Sequence, residues 1–394
     1  MTTEETIELF DKYVIGNYTR LPRVIVRGKG CYMYDTDGNE ILDMFPGWAV
    51  SAIGHCHPKV VEAIRKQAGE LLHIDNTFYS EPQGTLSKLL SERAFGGKCF
   101  YCNSGAEANE GALKLARLHT GEGKYKFITA EGSFHGRTFA TMTATAQPKH
   151  HEGLLPLLPG FAYVPFNNIE ALEKAFSDEV AAVLVEPIQG EGGINPATRD
   201  YLQAIRRLCD ENGAVMILDE VQTGIGRTGK WFGYQHYDVE PDIMTMAKAL
   251  GGGMAIGAMM AKDEVANSLK PGKHASTFGG NAIGCAAAIA VIEAIEEEGL
   301  LQNAIDVGTY LQEKLNELKT EHPIIDHIRG KGLMIGVVLK EPGSEIVDKC
   351  LKKGMRINCT QSNVLRFMPP MIVTKEQVDK ALEIFENVLR EMGK

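Results

Sequence analysis

Lys248 closes a short apolar run, Ile243-Met244-Thr245-Met246-Ala247, and is followed by Gly251-Gly252-Gly253. A run of that length bounded by turn formers reads as a buried strand. A lysine at the end of such a strand has two readings. Its stem can cover apolar surface while the ammonium stays wet, or it can be desolvated, so that a neutral amine condenses with a carbonyl to form a Schiff base. A second apolar run, Ala214-Val215-Met216-Ile217-Leu218, ends in Asp219, 29 positions before the lysine. An acid and a lysine, each at a strand end, are what pyridoxal phosphate chemistry needs. The acid pairs with a protonated pyridine nitrogen, which makes the ring an electron sink; the lysine carries the aldehyde and later moves a proton.

The elements around this pair must bring further groups to it. Phe100-Tyr101-Cys102 reads as a strand that turns through Asn103-Ser104-Gly105-Ala106 into a helix with apolar positions 108, 112, 115 and 116. Ser104 with Glu107 fits a capping box. The same exposed first-turn amides, with a glycine and the helix dipole, also suit a phosphate. Phe127-Ile128-Thr129-Ala130 is a strand whose following loop carries Phe134, His135 and Arg137, in the usual place for ligand contacts in an open α/β sheet. Phe134 is either core or a stacking partner for a flat ring; Arg137 is either a surface charge or a carboxylate fork. Ala181–Val185 is a buried strand leading through Glu186-Pro187 into 188–193, which is glycine-rich and expected to be a mobile polar loop. A helix over 200–212 ends at Gly213 and precedes the Asp219 strand, so strand, helix and strand form a parallel unit. Ser276 and Thr277, small donors beside Gly279-Gly280, can hold another phosphate oxygen.

Composition narrows the class. A chain of 394 residues, 44% apolar and 23% charged, is long enough for two domains. A net charge of −10, from 41 basic and 51 acidic residues, argues against binding nucleic acid or acidic lipid. The acidic start, Met1-Thr2-Thr3-Glu4-Glu5, lacks the features of a secretory or transit peptide, and no stretch is apolar enough to span a bilayer. Eight scattered cysteines suit reduced thiols and a cytoplasmic setting. Cys99 and Cys102 would face opposite ways in a strand, and His55-Cys56-His57 and His150-His151 lack a matching second cluster, so no metal site is expected. The expected organisation is an N-terminal segment 1–55 that joins a small domain, a large domain 56–281, and a small C-terminal domain 282–394. The last alternates helix and strand (303–320, 333–339, 344–353, 364–367, 375–392).

Six motifs occur in one order: Asn103-Ser104-Gly105-Ala106-Glu107-Ala108-Asn109, Phe134-His135-Gly136-Arg137-Thr138, Glu186-Pro187-Ile188-Gln189-Gly190-Glu191, Asp219-Glu220-Val221-Gln222-Thr223-Gly224, Lys248, and Thr277-Phe278-Gly279-Gly280-Asn281. From about Tyr18 to the C-terminal helix the chain resembles the class III, ornithine-type pyridoxal phosphate aminotransferases. The resemblance implies an α/β fold of fold-type I. A large domain holds pyridoxal 5′-phosphate on a mostly parallel seven-stranded sheet, and a small α+β domain is built from both chain ends. It also implies a homodimer with shared sites, in which Thr277 reaches the phosphate of the partner's cofactor.

Position by position, the resemblance makes Lys248 the Schiff-base lysine and Asp219 the pyridinium partner. Gly105 and Ala106 supply phosphate amides with Ser104 beside them. Phe134 stacks on one face of the ring, Val221 backs the other, Gln222 bonds the phenolic oxygen, and Glu186 belongs to the same cofactor site. Arg137 takes the substrate carboxylate remote from the reacting amine; Ser276, Tyr18 and Trp48 also face the substrate. Glu191 and Arg366 match a switch pair. 2-Oxoglutarate brings two carboxylates and needs two cations, whereas an amine donor needs Arg366 masked. Two positions depart from the family pattern: Met254 stands in the glycine loop where a proline is usual, and Trp48 replaces a small aliphatic residue in the substrate channel. The implied reaction moves the terminal amine of N2-acetyl-L-ornithine to 2-oxoglutarate, giving N-acetylglutamate 5-semialdehyde and L-glutamate, a step of arginine biosynthesis. Ornithine, succinylornithine and 4-aminobutyrate are alternative donors. A decarboxylase or aminomutase of the same fold, or a cofactor-binding sensor without catalysis, are the alternatives in kind.

Overall fold

The computed structural model describes residues 1–394. Its central sheet has seven strands in the spatial order Lys98–Cys102, Gly257–Ala261, Ile243–Met246, Val215–Asp219, Val180–Val185, Lys126–Ala130 and Phe161–Val164. From Ile243–Met246 outward every neighbour pairs parallel. Gly257–Ala261 runs antiparallel to both its neighbours. The connection through 247–256 holds only a turn of 3-10 helix, too short for the crossover that a parallel return needs.

Four of these strands are buried at every position, so they read as unbroken apolar runs rather than alternating ones. Alternation reappears in the packing. Val183, Val185, Met216, Leu218, Met244 and Met246 face one apolar cluster, while Ala182, Leu184, Val215, Ile217 and Ile243 face another. This is the period-two geometry of a strand covered on both sides. The helix Gly105–Thr120 closes the second face through Ala112, Leu113, Leu115 and Ala116. The helices Arg199–Asn212 and Ala282–Glu297 close the first through Tyr201, Leu202, Ile205 and Val291. Because Lys98–Cys102 runs the same way as the parallel set, the carboxyl ends of Cys102, Ala130, Val185, Asp219 and Met246 share one edge. The residues that follow each of them converge there.

Both chain ends meet in a second sheet, where Met355–Arg356 pairs parallel with Leu42–Asp43. A third, antiparallel sheet has the order Ile325–Lys331, Met334–Leu339, Val364–Phe367, Asn358–Thr360. Ile325–Lys331 is absent from the sequence reading because it is an edge strand, mixed in polarity and mostly half-buried. No helix is long and apolar enough to cross a membrane.

Two local expectations change. The segment after Glu186 is not a mobile loop. Ile188–Gln189 pairs with Asn195–Pro196, and Ile188 is buried with Phe45, Ala49, Ile194, Met334 and Met368. Its glycines serve close approach instead: a Cβ on Gly190 would lie 1.7 Å from Gln222 Oε1. Lys248 is not the last residue of its strand. The strand ends at Met246, and Lys248 takes a left-handed conformation, φ +42°, as it opens the 3-10 turn Lys248–Gly251. For a lysine that backbone costs about 1–3 kcal/mol and persists only where the surroundings impose it.

The helix Leu300–Glu321 packs with Gly308 against Gly332: a Cβ at 308 would lie 2.3 Å from the Gly332 carbonyl oxygen. Gly69, near the end of the helix Pro58–Glu70, has nothing within 4 Å of its Cβ position. Alanine improves helix propensity at both sites by about 1 kcal/mol, but at 308 a clash with backbone outweighs it by roughly 1–3 kcal/mol. Gly308→Ala is therefore expected to lower the apparent melting temperature and Gly69→Ala to raise it slightly, both read by a thermal scan.

Candidate active site

The shared edge of the central sheet opens into a cavity of about 440 Å³. Ten of the residues singled out in the sequence line it: Ser104, Gly105, Ala106, Phe134, Arg137, Glu186, Asp219, Val221, Gln222 and Lys248.

Asp219 is buried, and its two oxygens take three partners. Oδ2 accepts from Asn109 Nδ2 at 2.8 Å and faces His135 Nδ1 at 2.8 Å; Oδ1 accepts from the Val221 amide at 3.0 Å. A carboxylate there assigns the imidazole proton to Nδ1. Asn109 uses its remaining capacity on the His135 carbonyl, at 2.8 Å, and on Thr245 Oγ1, which donates to it at 2.8 Å. One side chain thus ties the helix Gly105–Thr120, the Phe134 loop and the strand Ile243–Met246 to the acid. Glu186, also buried, accepts from the Phe134 amide at 3.0 Å and the Gly190 amide at 2.9 Å. Burial pushes its carboxyl up to about 7; His135 opposes that shift and Asp219 adds to it.

Lys248 is half-buried in the cavity wall, and desolvation lowers its pKa against the pull of Glu191, Asp219 and Glu186. The direction is toward the neutral amine. Ser104 caps the helix Gly105–Thr120, its Oγ accepting from the Glu107 amide at 3.2 Å. The return half of the capping box is displaced by one residue, since Glu107 accepts from the Asn103 amide at 2.8 Å and not from that of Ser104. The amides of Gly105 and Ala106 have no backbone acceptor, as first-turn amides do not. A Cβ on Gly105 would lie 2.9 Å from both Val221 methyls, so only glycine lets those amides sit beside Val221. Gln222 donates to the Trp48 carbonyl at 3.5 Å, and its Oε1 is buried without a partner.

The other residues lie outside this lining. Arg366, fully buried, pairs with Glu191 at 2.6 and 3.4 Å. It also donates to Asn358 Oδ1 from Nε at 2.8 Å and Nη2 at 2.5 Å, and to the Gly190 carbonyl at 3.3 Å. Burial works to raise the Glu191 carboxyl, but Arg366 outweighs it, with Lys248 and Lys149 adding, and the net direction is down. Ser276 Oγ accepts from Asn103 Nδ2 at 3.3 Å, one residue from Ser104. Thr277 is exposed. Trp48 is half-exposed, φ +58°, edge-on to Phe45, and Val50 rather than its ring meets the cavity. Tyr18 is exposed under the Arg20 guanidinium.

Sequence reasoning assigned no role to Asn109, His135 or Asn358. Asn109 did carry a signal: it is a polar residue on the buried stripe of an otherwise apolar helix face, beside Ala108 and Ala112. The other two sit in loop or edge positions without periodicity to judge them by.

The sequence model of the class-III aminotransferases matches residues 13–389, and the chain belongs to that family. It is 54% identical over 386 residues to a protein named acetylornithine aminotransferase in Caldanaerobacter subterraneus subsp. tengcongensis, covering 97% of this chain and 98% of that one. It is 50% identical over 398 residues, with all of both chains covered, to the protein of the same name in Methanocaldococcus jannaschii. The ornithine aminotransferase of Toxoplasma gondii, at 33% identity, superposes with a TM-score of 0.95 over 100% of this chain and 96% of that one. A second crystal structure of that enzyme (TM-score 0.94, 33% identity, the same coverage) has pyridoxal phosphate at partial occupancy in its active site.

The cofactor is pyridoxal 5′-phosphate, and the residues present suit it. Free amides at a helix N-terminus fit a phosphate, and a buried carboxylate supported from three sides fits a protonated ring nitrogen. A cavity-lining amine with lowered pKa fits an aldehyde, and the partnerless Gln222 Oε1 is a polar atom open to a ligand.

Replacing Asn109 by leucine keeps the volume but strips hydrogen bonds from Asp219, His135 and Thr245. Each buried group left unpaired costs about 1–3 kcal/mol. Asn109→Leu is expected to lower the apparent melting temperature of the cofactor-free protein by several degrees and to weaken its retention of pyridoxal phosphate, measured by equilibrium dialysis.

Proposed function

We propose that the chain transfers the terminal amine of N2-acetyl-L-ornithine to 2-oxoglutarate, giving N-acetylglutamate 5-semialdehyde and L-glutamate. The observation that carries this reading is the Glu191–Arg366 pair beside Lys248. An enzyme that must accept both an ω-amine and a 2-oxo diacid at one place has a charge problem. Arg366 unpaired would be a buried cation whose exposure costs several kcal/mol and would draw the α-carboxylate of an amino acid to the wrong end. Paired with Glu191 it is masked; when 2-oxoglutarate arrives, Glu191 yields and the two carboxylates take Arg137 and Arg366. A decarboxylase or aminomutase has no second substrate of this kind. The relatives named acetylornithine aminotransferase, at 54% and 50% identity over nearly the whole chain, support acetylornithine as donor.

Pyridoxal phosphate supplies an aldehyde that takes the amine and a ring that draws off the electrons released when the neighbouring C–H bond breaks. The protein does the rest. With the cofactor bound, Lys248 would hold its aldehyde. Freed by the donor's amine, its Nζ, whose pKa desolvation lowers toward the neutral amine, would take the proton from the carbon bearing that amine and deliver it on the cofactor side. With the cofactor bound, Asp219 would pair with the protonated ring nitrogen. The Gly105 and Ala106 amides, with Ser104, would hold the phosphate; Phe134 and Val221 would flank the ring; Gln222 would bond the phenolic oxygen; Glu186 fixes the Phe134 loop. Arg137 receives the donor's carboxylate, with Ser276, Tyr18 and Trp48 around the entry. Thr277, exposed on its own chain, reaches the phosphate of a second copy in a cytoplasmic homodimer. Residues 1–55 with 282–394 form the small domain around the large domain, 56–281.

The test is a half-reaction panel. The loaded enzyme, without 2-oxoglutarate, is mixed in turn with N-acetylornithine, ornithine and 4-aminobutyrate, and loss of its visible absorption is followed. Acetylornithine is expected to react at least ~10-fold faster than the others; a faster reaction with ornithine or 4-aminobutyrate overturns the assignment.

Capture of pyridoxal phosphate by the cofactor-free protein requires the neutral Lys248 amine, so its rate rises with pH. Because burial lowers the lysine's pKa, the midpoint is expected below 10.5, measured by stopped-flow absorbance. A midpoint at the ordinary lysine value would mean a solvated amine.

A further inference from the structure

Behind the Phe134 wall of the cavity, close to Arg137, stand two side chains that the steps above do not use, Lys149 and His150. Arg137 lines the cavity and forms no ion pair; its guanidinium carbon lies 5.4 Å from the centre of the Phe134 ring. His150 packs edge-on to the same ring, with centroids 5.8 Å apart and planes at 86°. Its turn, Pro148–His150, is pinned from both sides. Buried Gln147 donates to the carbonyls of Ser133 at 2.9 Å and Gly132 at 3.3 Å. Gln361 donates to Gln147 Oε1 at 3.3 Å and to the Glu191 carbonyl at 2.8 Å. The turn is therefore fixed relative to both the ring wall and the Glu191–Arg366 pair. Neither ring nitrogen of His150 has a protein partner, and exposed Lys149 beside it has no ion pair. The one nearby acid, Glu191, is taken by Arg366.

We propose that Arg137, Lys149 and His150 form a subsite that reads the acylated end of the donor, Arg137 holding its carboxylate, His150 hydrogen-bonding the amide of the acyl group and Lys149 disfavouring a free α-ammonium. The inference rests on the donor assigned above. N2-Acetylornithine and ornithine share the reacting amine, the chain and the carboxylate, and differ only at the α-nitrogen. One presents a neutral amide there, the other a cation. Arg137 is satisfied by the carboxylate in both. What remains is the Lys149 ammonium, without an ion-pair partner, which repels a second ammonium and is indifferent to an amide. Burial, reinforced by Arg137 and Lys149, pushes the His150 imidazole down to about 4. It is neutral at pH 7, with one donor and one acceptor, and can serve either the N–H or the C=O of an amide.

The experiment measures kcat and KM for N-acetylornithine, ornithine and 5-aminopentanoate, which keeps chain and carboxylate but has neither amide nor α-ammonium. His150→Phe preserves the packing on Phe134 and removes both nitrogens. It is expected to lower the acetylornithine-to-5-aminopentanoate ratio of kcat/KM about tenfold, mainly through KM, with His150→Asn restoring part of it. Lys149→Glu, at an exposed position, is expected to raise the ornithine-to-acetylornithine ratio about tenfold. Ratios within about twofold of the unmodified enzyme, or an equal fall for all three donors in His150→Phe, would overturn the subsite while leaving the donor assignment standing. If the unmodified enzyme does not use acetylornithine, the donor assignment fails and the subsite falls with it.

Discussion

Asp219 ends a strand that is buried at every position, and the chain surrounds its carboxylate with donors from three directions: a helix (Asn109), a loop (His135) and its own following turn (Val221). A buried carboxylate without such partners would cost several kcal/mol. The arrangement therefore constrains its neighbours. The helix Gly105–Thr120 must sit low enough on the sheet for Asn109 to reach. The Phe134 loop must fold back so that His135 points inward. Thr245, on the adjacent strand, must hold the other end of the Asn109 amide. Those same placements put the first-turn amides, the aromatic wall and Lys248 around one cavity. The acid is at once part of the cavity wall and the point that sets the geometry of the rest.

Charge is balanced locally along this cavity. Glu191 is spent on Arg366, Asp219 on its donors, and Glu186 is pushed toward its neutral form by burial. Lys248 is left with acids near it but none in contact, so desolvation governs it. The Arg366 guanidinium has Asn358 and Gly190 as fallback acceptors, so it keeps partial support if Glu191 moves. A pair meant to open requires such support, since an abandoned buried cation would otherwise oppose the opening.

Much of this was legible in the residues. The fully apolar runs predicted buried parallel strands, Gly213 ended its helix, and the carboxylate and lysine at the ends of apolar runs pointed to the cofactor. Local periodicity suffices there because a strand or helix buried against a sheet must repeat its side chains at the element's own period. The failures were of another kind. Six residues rich in glycine after Glu186 read as mobile, yet Ile188 and Gln189 are buried in a hairpin, because glycine also permits close backbone approach. Ile325–Lys331 escaped notice because an edge strand needs no apolar alternation.

The sequence by itself determined the element types, the apolar faces and the identities of the groups able to do chemistry, since these follow from propensity and period within a few residues. Only the tertiary structure decided that Asn109 and His135 support Asp219 and that Asn358 shares Arg366. It alone set Lys248 in a left-handed turn two residues beyond its strand and brought His150 against the Phe134 ring that lines the cavity. Those contacts join segments far apart in the chain. Their energies come from burial and from distances of about 3 Å, and no local pattern of residues encodes either.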